Sequence, residues 1–241
     1  RLEQVVAEPN RYLLARLPMA KTDRPGVYDL AKKGTEADGA PAVLKMRKGR
    51  NKLYEELADD VHIGRFLEIP AKENGFDIEG LAVRGDRVFL GLRGPVLRGW
   101  ATILELDVKA KDDKLKLRKI GPGGRRYRKH FLHLAGLGIR ELHFEGDDLL
   151  ILAGPTMDLD GPTRVYRWRG PLAAQDEEII PNGDIDHVIE LPFGDGTDHA
   201  EGIALVPTAE ERRLLVTYDS PDPSRLHDNE RTMDADVFLL S

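Results

Sequence analysis

EGLAVRGDRVFLGLRGP, residues 79–95, is two short apolar runs around a polar turn, and the chain writes the pattern twice more, as LGIRELHFEGDDLLILAGP (137–155) and EGIALVPTAEERRLLVTYDSP (201–221). In each copy a Gly followed by Leu or Ile opens a strand, a polar turn follows, and a second strand of mostly Val, Leu, Ile or Phe runs to a closing Gly-Pro or Ser-Pro. Each copy reads as a β-hairpin. Anchored on Gly80, Gly138 and Gly202, the distance to the closing Pro grows by two residues from copy to copy, a drift that the turn can absorb.

A third strand follows each hairpin: WATILELDV from Trp100, RVYRWRG from Arg164 and DVFLLS at the C-terminus. A fourth precedes each repeat, as RFLEIP (65–70), KHFLHLA (129–135) and HVIELP (187–192). Four strands in a unit of roughly 60 residues are the make-up of a β-propeller blade with long connections. Three unrelated hairpins in a sandwich would also suit period-2 strands, but the recurring Pro after the second strand favours the blade.

The fold expected is therefore all-β, a single β-propeller domain over 1–241 built of four-stranded antiparallel blades. RYLLARLPM (11–19) resembles a third strand and RFLEIP a fourth, with no first or second strand before them. The chain is thus expected to hold about three blades plus the outer half of another, its N-terminal blades supplied by a preceding segment of its own. Between the two lies a loop-helix insertion over 20–64, expected at the periphery. Its polar part, 21–40, is expected to be mobile, and its helix to run from Lys52 to Asp59 with Asn51 as N-cap.

Composition narrows the function. Lys+Arg 36 against Asp+Glu 42 gives a formal net charge of −6, which argues against nucleic acid or an anionic membrane surface as partner. No apolar run nears the roughly 18 residues of a membrane span, so a soluble protein is expected, with cytoplasm and periplasm equally open. The chain contains no Cys, which removes disulfides, thiolate metal sites and a cysteine nucleophile. It starts at Arg1 rather than Met, so an earlier N-terminal part or targeting signal is left open.

ENGFDIEGLAVRGDRVFLGLRGPVLRGW (73–100) and LLILAGPTMDLDGP (149–162) closely resemble the bacterial family known as domain of unknown function 3616. That family is grouped with β-propellers and is distantly similar to esterase-like phytase propellers. The resemblance implies the fold. It carries no catalytic residue or substrate onto this chain.

In a propeller the starts of the innermost strands converge near one mouth of the central channel. Here they read Asp77-Ile78-Glu79-Gly80, Leu137-Gly138 and Asp198-His199-Ala200-Glu201-Gly202. Carboxylates gathered there must take a proton, find an Arg or share a cation. With Gly138 matched to Gly80 and Gly202, Arg140 stands where the sibling copies have Ala82 and Ala204, and is the cation that Glu79 and Glu201 require. Glu141 would point to the opposite side of the strand. Arg93 and Asp219, near the exit of the inner hairpins, are candidate ligand-binding residues, and His199 at the mouth could move a proton.

Other motifs are weaker. Asp158 and Asp160 in TMDLDGP lack the full spacing of a calcium loop and read as a turn. GPGGRR (121–126) lacks the Lys-Ser or Lys-Thr of a phosphate loop. His130 and His133 fall on opposite strand faces, which disfavours a shared metal. Two functions stay open. One is a metal-assisted ester or phosphoester hydrolase, with Glu79 and Glu201 holding Ca2+, Arg140 binding an anionic group and His199 transferring a proton. The other is a non-catalytic propeller that binds a small molecule, a peptide or a protein at the channel mouth.

Overall fold

Two-residue turns set the inner hairpins. Arg84 pairs with Arg87 across Gly85-Asp86, and Glu145 with Asp148 across Gly146-Asp147. Both glycines take a left-handed φ, +60° and +58°, which tight hairpin turns demand and a side chain resists. The computed structural model describes residues 12–31, 40–157, 159–206, 211–229 and 231–240.

The N-terminal elements are β1 (Ala15–Arg16), β2 (Met19–Lys21), β3 (Tyr28–Leu30), β4 (Ala42–Val43) and α1 (Lys52–Ala58). The first repeat supplies β5 (Asp77–Arg84), β6 (Arg87–Gly94), β7 (Trp100–Lys111), β8 (Lys114–Leu117) and β9 (Arg128–His133). The second supplies β10 (Gly138–Glu145), β11 (Asp148–Gly154), β12 (Thr163–Trp168), β13 (Glu178–Ile179) and β14 (Ile185–Leu191). The third supplies β15 (His199–Val206), β16 (Arg213–Asp219), β17 (Leu226–His227), β18 (Thr232–Met233) and β19 (Asp236–Leu239).

Strands β5-β6-β7-β9, β10-β11-β12-β14 and β15-β16-β19 form three consecutive antiparallel sheets, the strand order expected from the repeats. The fold is all-β and propeller-like. Period-2 alternation stacks the sheets: along β11, Leu149, Ile151 and Ala153 face the first sheet, packing with Phe89, Ile103 and Leu132. Leu150 and Leu152 face the third, packing with Ile203, Leu214 and Val216. All five of these β11 side chains are fully buried, which explains the unbroken apolar run LLILA.

The N-terminal third departs from expectation. RFLEIP is not a fourth strand: Gly64–Phe66 is a turn of 3-10 helix. Ile63 and Leu67, which flank that turn, are both buried in the cluster that includes Leu90, Leu92 and Leu104 of the first sheet. Within the described part of RYLLARLPM, only β1 and the first residue of β2 are extended. No outer half of a further blade forms from these residues. β1 pairs with β4, which joins the outer rim of the first sheet by a parallel pairing of Val43 with Lys114.

Helix α1 forms where expected, and Asn51 caps it by accepting from the Tyr54 backbone N–H at 3.0 Å. It is not peripheral. Leu53, Tyr54 and Leu57 are buried in a cluster with Tyr12, Leu90, Leu92 and Leu104, so the helix covers the outer face of the first sheet. Residues 32–39 of the polar stretch lie outside the described residues. Among the described residues no helix is long and apolar enough to cross a membrane.

Buried charge ties these parts together. Lys129, almost wholly buried, donates to Asp60 Oδ2 at 2.6 Å and lies 3.1 Å from Glu177 Oε1. Tyr127 donates to the same Asp60 oxygen at 2.5 Å. Burial alone would raise the Asp60 pKa, but Lys129, Tyr127 and the His62 backbone N–H together hold it down to about 2. His130 is fully buried, with Nε2 3.0 Å from Glu105 and its ring against Trp168, while His133 faces outward beside Trp100.

Two predictions follow from this packing. Leu57→Ala should lower unfolding free energy by about 2–5 kcal/mol in urea titration, the cost of a core cavity; a change below about 0.5 kcal/mol would contradict the integral role of α1. Burial pushes the His130 imidazole from 6.5 down to about 4. Its contribution is therefore full above pH 6.5 and is lost as pH falls toward 4, by roughly 3 kcal/mol. His130→Gln should flatten the wild-type decline in urea midpoint across that window.

Candidate functional site

The three inner hairpins share one irregularity. In β5, Ile78 pairs with Leu92 and Gly80 with Gly91, leaving Glu79 as the extra residue of a β-bulge. In β10, Ile139 pairs with Ala153 and Glu141 with Leu152, leaving Arg140. In β15, Ala200 pairs with Tyr218 and Gly202 with Thr217, leaving Glu201. A second slip, between Asp77–Gly94 and Ile78–Leu92, makes Arg93 the extra residue on β6. A bulge frees a residue from the ladder and re-aims its side chain.

This register corrects the alignment of the repeats. Arg140 does not stand opposite Ala82 and Ala204; it is the structural counterpart of Glu79 and Glu201. Glu141 corresponds to Gly80 and Gly202. Gly138 misleads because its small size serves another purpose. A Cβ there would lie 2.1 Å from the Arg93 carbonyl oxygen, so the glycine lets the first and second sheets approach.

The bulges open on a cleft of about 420 Å3 whose walls include Arg93, Arg140, Asp160, His199, Glu201 and Asp219. Arg140 is only 6% exposed. Its Nη1 donates to Glu201 Oε1 at 2.6 Å and its Nη2 to the Pro155 carbonyl at 3.1 Å. A Cβ on Gly154 would come within 3.1 Å of Arg140 Nε, so that glycine makes room for the guanidinium. Arg93 repeats the arrangement, with Nη1 donating to Glu79 Oε1 at 2.9 Å and Nη2 to the Met157 carbonyl at 2.6 Å. Each arginine is thus clamped between a carboxylate and a carbonyl.

Burial raises the Glu79 pKa, and the pull of Arg93 and Arg140 only partly offsets it. Burial lowers the Arg140 pKa, and repulsion from Arg93 lowers it further. On the rim, His199 Nε2 lies 2.8 Å from Asp160 Oδ1, and Asp160 Oδ2 accepts from the Gly196 backbone N–H at 3.1 Å. The His199 contact lowers the Asp160 pKa. Asp219 pairs with His199 in the strand register and is exposed.

Of the six residues singled out from sequence, Arg93, Arg140, His199, Glu201 and Asp219 line the cleft, and Glu79 is joined to it through Arg93. Glu79, Arg140 and Glu201 share one charged cluster, although the direct partner of Glu79 is Arg93. Asp160, taken from sequence as a turn residue, is the partner of His199; Asp158 lies outside the described residues. Lys72 and Ser220 also line the cleft; Ser220 was marked only as part of the closing Ser-Pro of its repeat, and Lys72 by no pattern. Glu141 does not line it and stays half-buried, its carboxylate accepting from the Leu142 N–H at 2.8 Å. Among the described residues no group of three or more His, Cys, Asp or Glu is placed to hold a metal ion. Glu79 and Glu201 instead direct oxygens at guanidinium groups, which a Ca2+ would have to displace.

A double-mutant cycle of Arg140→Gln with Glu201→Gln, read by urea unfolding, should give a coupling above about 0.5 kcal/mol, as expected for residues in direct contact. Additive losses would show that the pair does not interact in solution.

Searches of curated proteins and of solved structures found no significant match. A family model described as "Protein of unknown function (DUF3616)" matches residues 1–236, and the chain belongs to that family.

Proposed function

We propose that this protein binds a polar small molecule or peptide in the cleft where the three sheets meet, and that its charged bulge residues orient the ligand. The carrying observation is that Glu79, Arg140 and Glu201 are each released from the ladder at the same step of a different hairpin: Arg140 and Glu201 line one cavity together with Arg93, and Glu79 holds Arg93. Regular pairing is given up at these positions, and charge is placed there rather than apolar packing. Convergent polar groups in a concave site are the usual make-up of a ligand pocket.

A hydrolytic reading of the same cleft is favoured by one observation, the hydrogen bond between His199 and Asp160. A carboxylate on one ring nitrogen orients the imidazole, so that the other can accept a proton from water attacking an ester or phosphoester. Arg140 would then hold the anionic part of the substrate. Ca2+ held by Glu79 and Glu201 would belong to this reading.

Saturation-transfer NMR against a mixed panel of sugars, amino acids, organic acids and phosphates tests the binding reading. At least one component should bind wild type and lose its signal when Arg93 is replaced by Gln. In parallel, p-nitrophenyl acetate and p-nitrophenyl phosphate, with and without Ca2+, should show no turnover above background. Turnover abolished by His199→Gln would transfer the conclusion to hydrolysis.

A further inference from the structure

The two arginines of the cleft are incompletely satisfied. A guanidinium offers five N–H donors in a rigid fork. Arg140 commits Nη1 to Glu201 and Nη2 to Pro155, and Arg93 commits Nη1 to Glu79 and Nη2 to Met157. The Nε of each is buried and has no hydrogen-bond partner. Buried donors without an acceptor are rare in folded proteins, and each calls for a cause.

Charge points the same way. The two arginines come from neighbouring sheets, and Arg93 repels Arg140 while Glu79 and Glu201 attract it. Each guanidinium has one carboxylate partner, and both keep a buried Nε–H without an acceptor. Glu201, 39% exposed in its side chain, can swing into solvent and release Nη1 of Arg140 to an incoming group.

We propose that the ligand of this cleft carries an oxyanion, a carboxylate or a phosphate group, that sits between Arg93 and Arg140. This rests on the ligand-binding reading above. The planar fork of Arg suits both groups, whose oxygens accept two parallel N–H bonds. Glu201 occupies Arg140 in the empty cleft and acts as the internal competitor of the ligand's anion. Glu79 holds Nη1 of Arg93 in the corresponding contact.

Calorimetric titration of the full chain at low ionic strength tests this, using sodium phosphate, sodium succinate and, as a neutral control, methyl glucoside. Phosphate or succinate should bind wild type, bind at least about tenfold more weakly in Arg93→Gln, and bind more tightly in Glu201→Gln. The gain in Glu201→Gln is the decisive sign, because damage to the fold weakens binding and does not strengthen it. Arg140→Gln joins the series if its circular dichroism matches wild type; the other two variants decide the matter if it does not. Binding of phosphate alone assigns a phosphoryl ligand, and binding of succinate alone a carboxylate. Oxyanion binding unchanged in both Arg93→Gln and Glu201→Gln overturns the proposal. Binding of methyl glucoside without either anion overturns it as well and leaves the ligand-binding reading standing. If neither the anions nor any component of the NMR panel binds, both fall.

Discussion

The middle sheet is apolar on both faces, and the rest of the structure depends on that. Five consecutive residues of β11, Leu149–Ala153, are removed from water by sending alternate side chains to opposite neighbours. Fully burying a Leu or Ile side chain is worth roughly 1.5–3 kcal/mol, so the run favours having a sheet on each side of it over any arrangement that leaves one face wet. The inner strands are thereby brought side by side, and the starts of three hairpins come within reach of one another. The cleft is a by-product of that stacking. Its chemistry depends on which residues the hairpins release there.

Those residues are released at bulges, and the electrostatics follow from where the bulges lie. A guanidinium as deeply buried as that of Arg140 has lost most of its hydration, and in such surroundings charge pairs interact more strongly than at a wet surface. Removing one partner of such a pair is costly, because the other is then left desolvated and alone. The clamp of carboxylate plus carbonyl on each arginine keeps that cost low while leaving its buried Nε–H without an acceptor. The second buried network, around Asp60 and Lys129, has no such surplus: Asp60 also accepts from the backbone N–H groups of His62 and Ile63, at 2.9 and 3.0 Å. Saturated in this way, it locks the segment after α1 to β9. The arginine cluster retains capacity for an outside partner.

Much of this was legible in the sequence. The hairpins, the third and fourth strands of the first two sheets, the cap at Asn51 and the gathering of Glu79, Arg140 and Glu201 all follow from period-2 runs, turn residues and the logic of strand starts. The register was not. Matching glycine to glycine placed Arg140 three positions away from its true counterparts, because Gly138 answers to a close approach between sheets while Gly80 and Gly202 follow a bulge. RFLEIP was ambiguous for another reason: its short apolar set, Phe66, Leu67 and Ile69, suits a strand and a helical turn alike. The pairing of His199 with Asp160 joins residues distant in the chain, and nothing local to either announces it.

The two arginines with spare donors belong to different sheets, Arg93 to the first and Arg140 to the second. An anion gripped by both would span the seam between these sheets and act as a removable staple across it. By linkage, whatever free energy the ligand gains from having both arginines in place also resists the separation of the sheets. Occupancy of the cleft and cohesion of the sheet stack would then be one equilibrium seen from two sides.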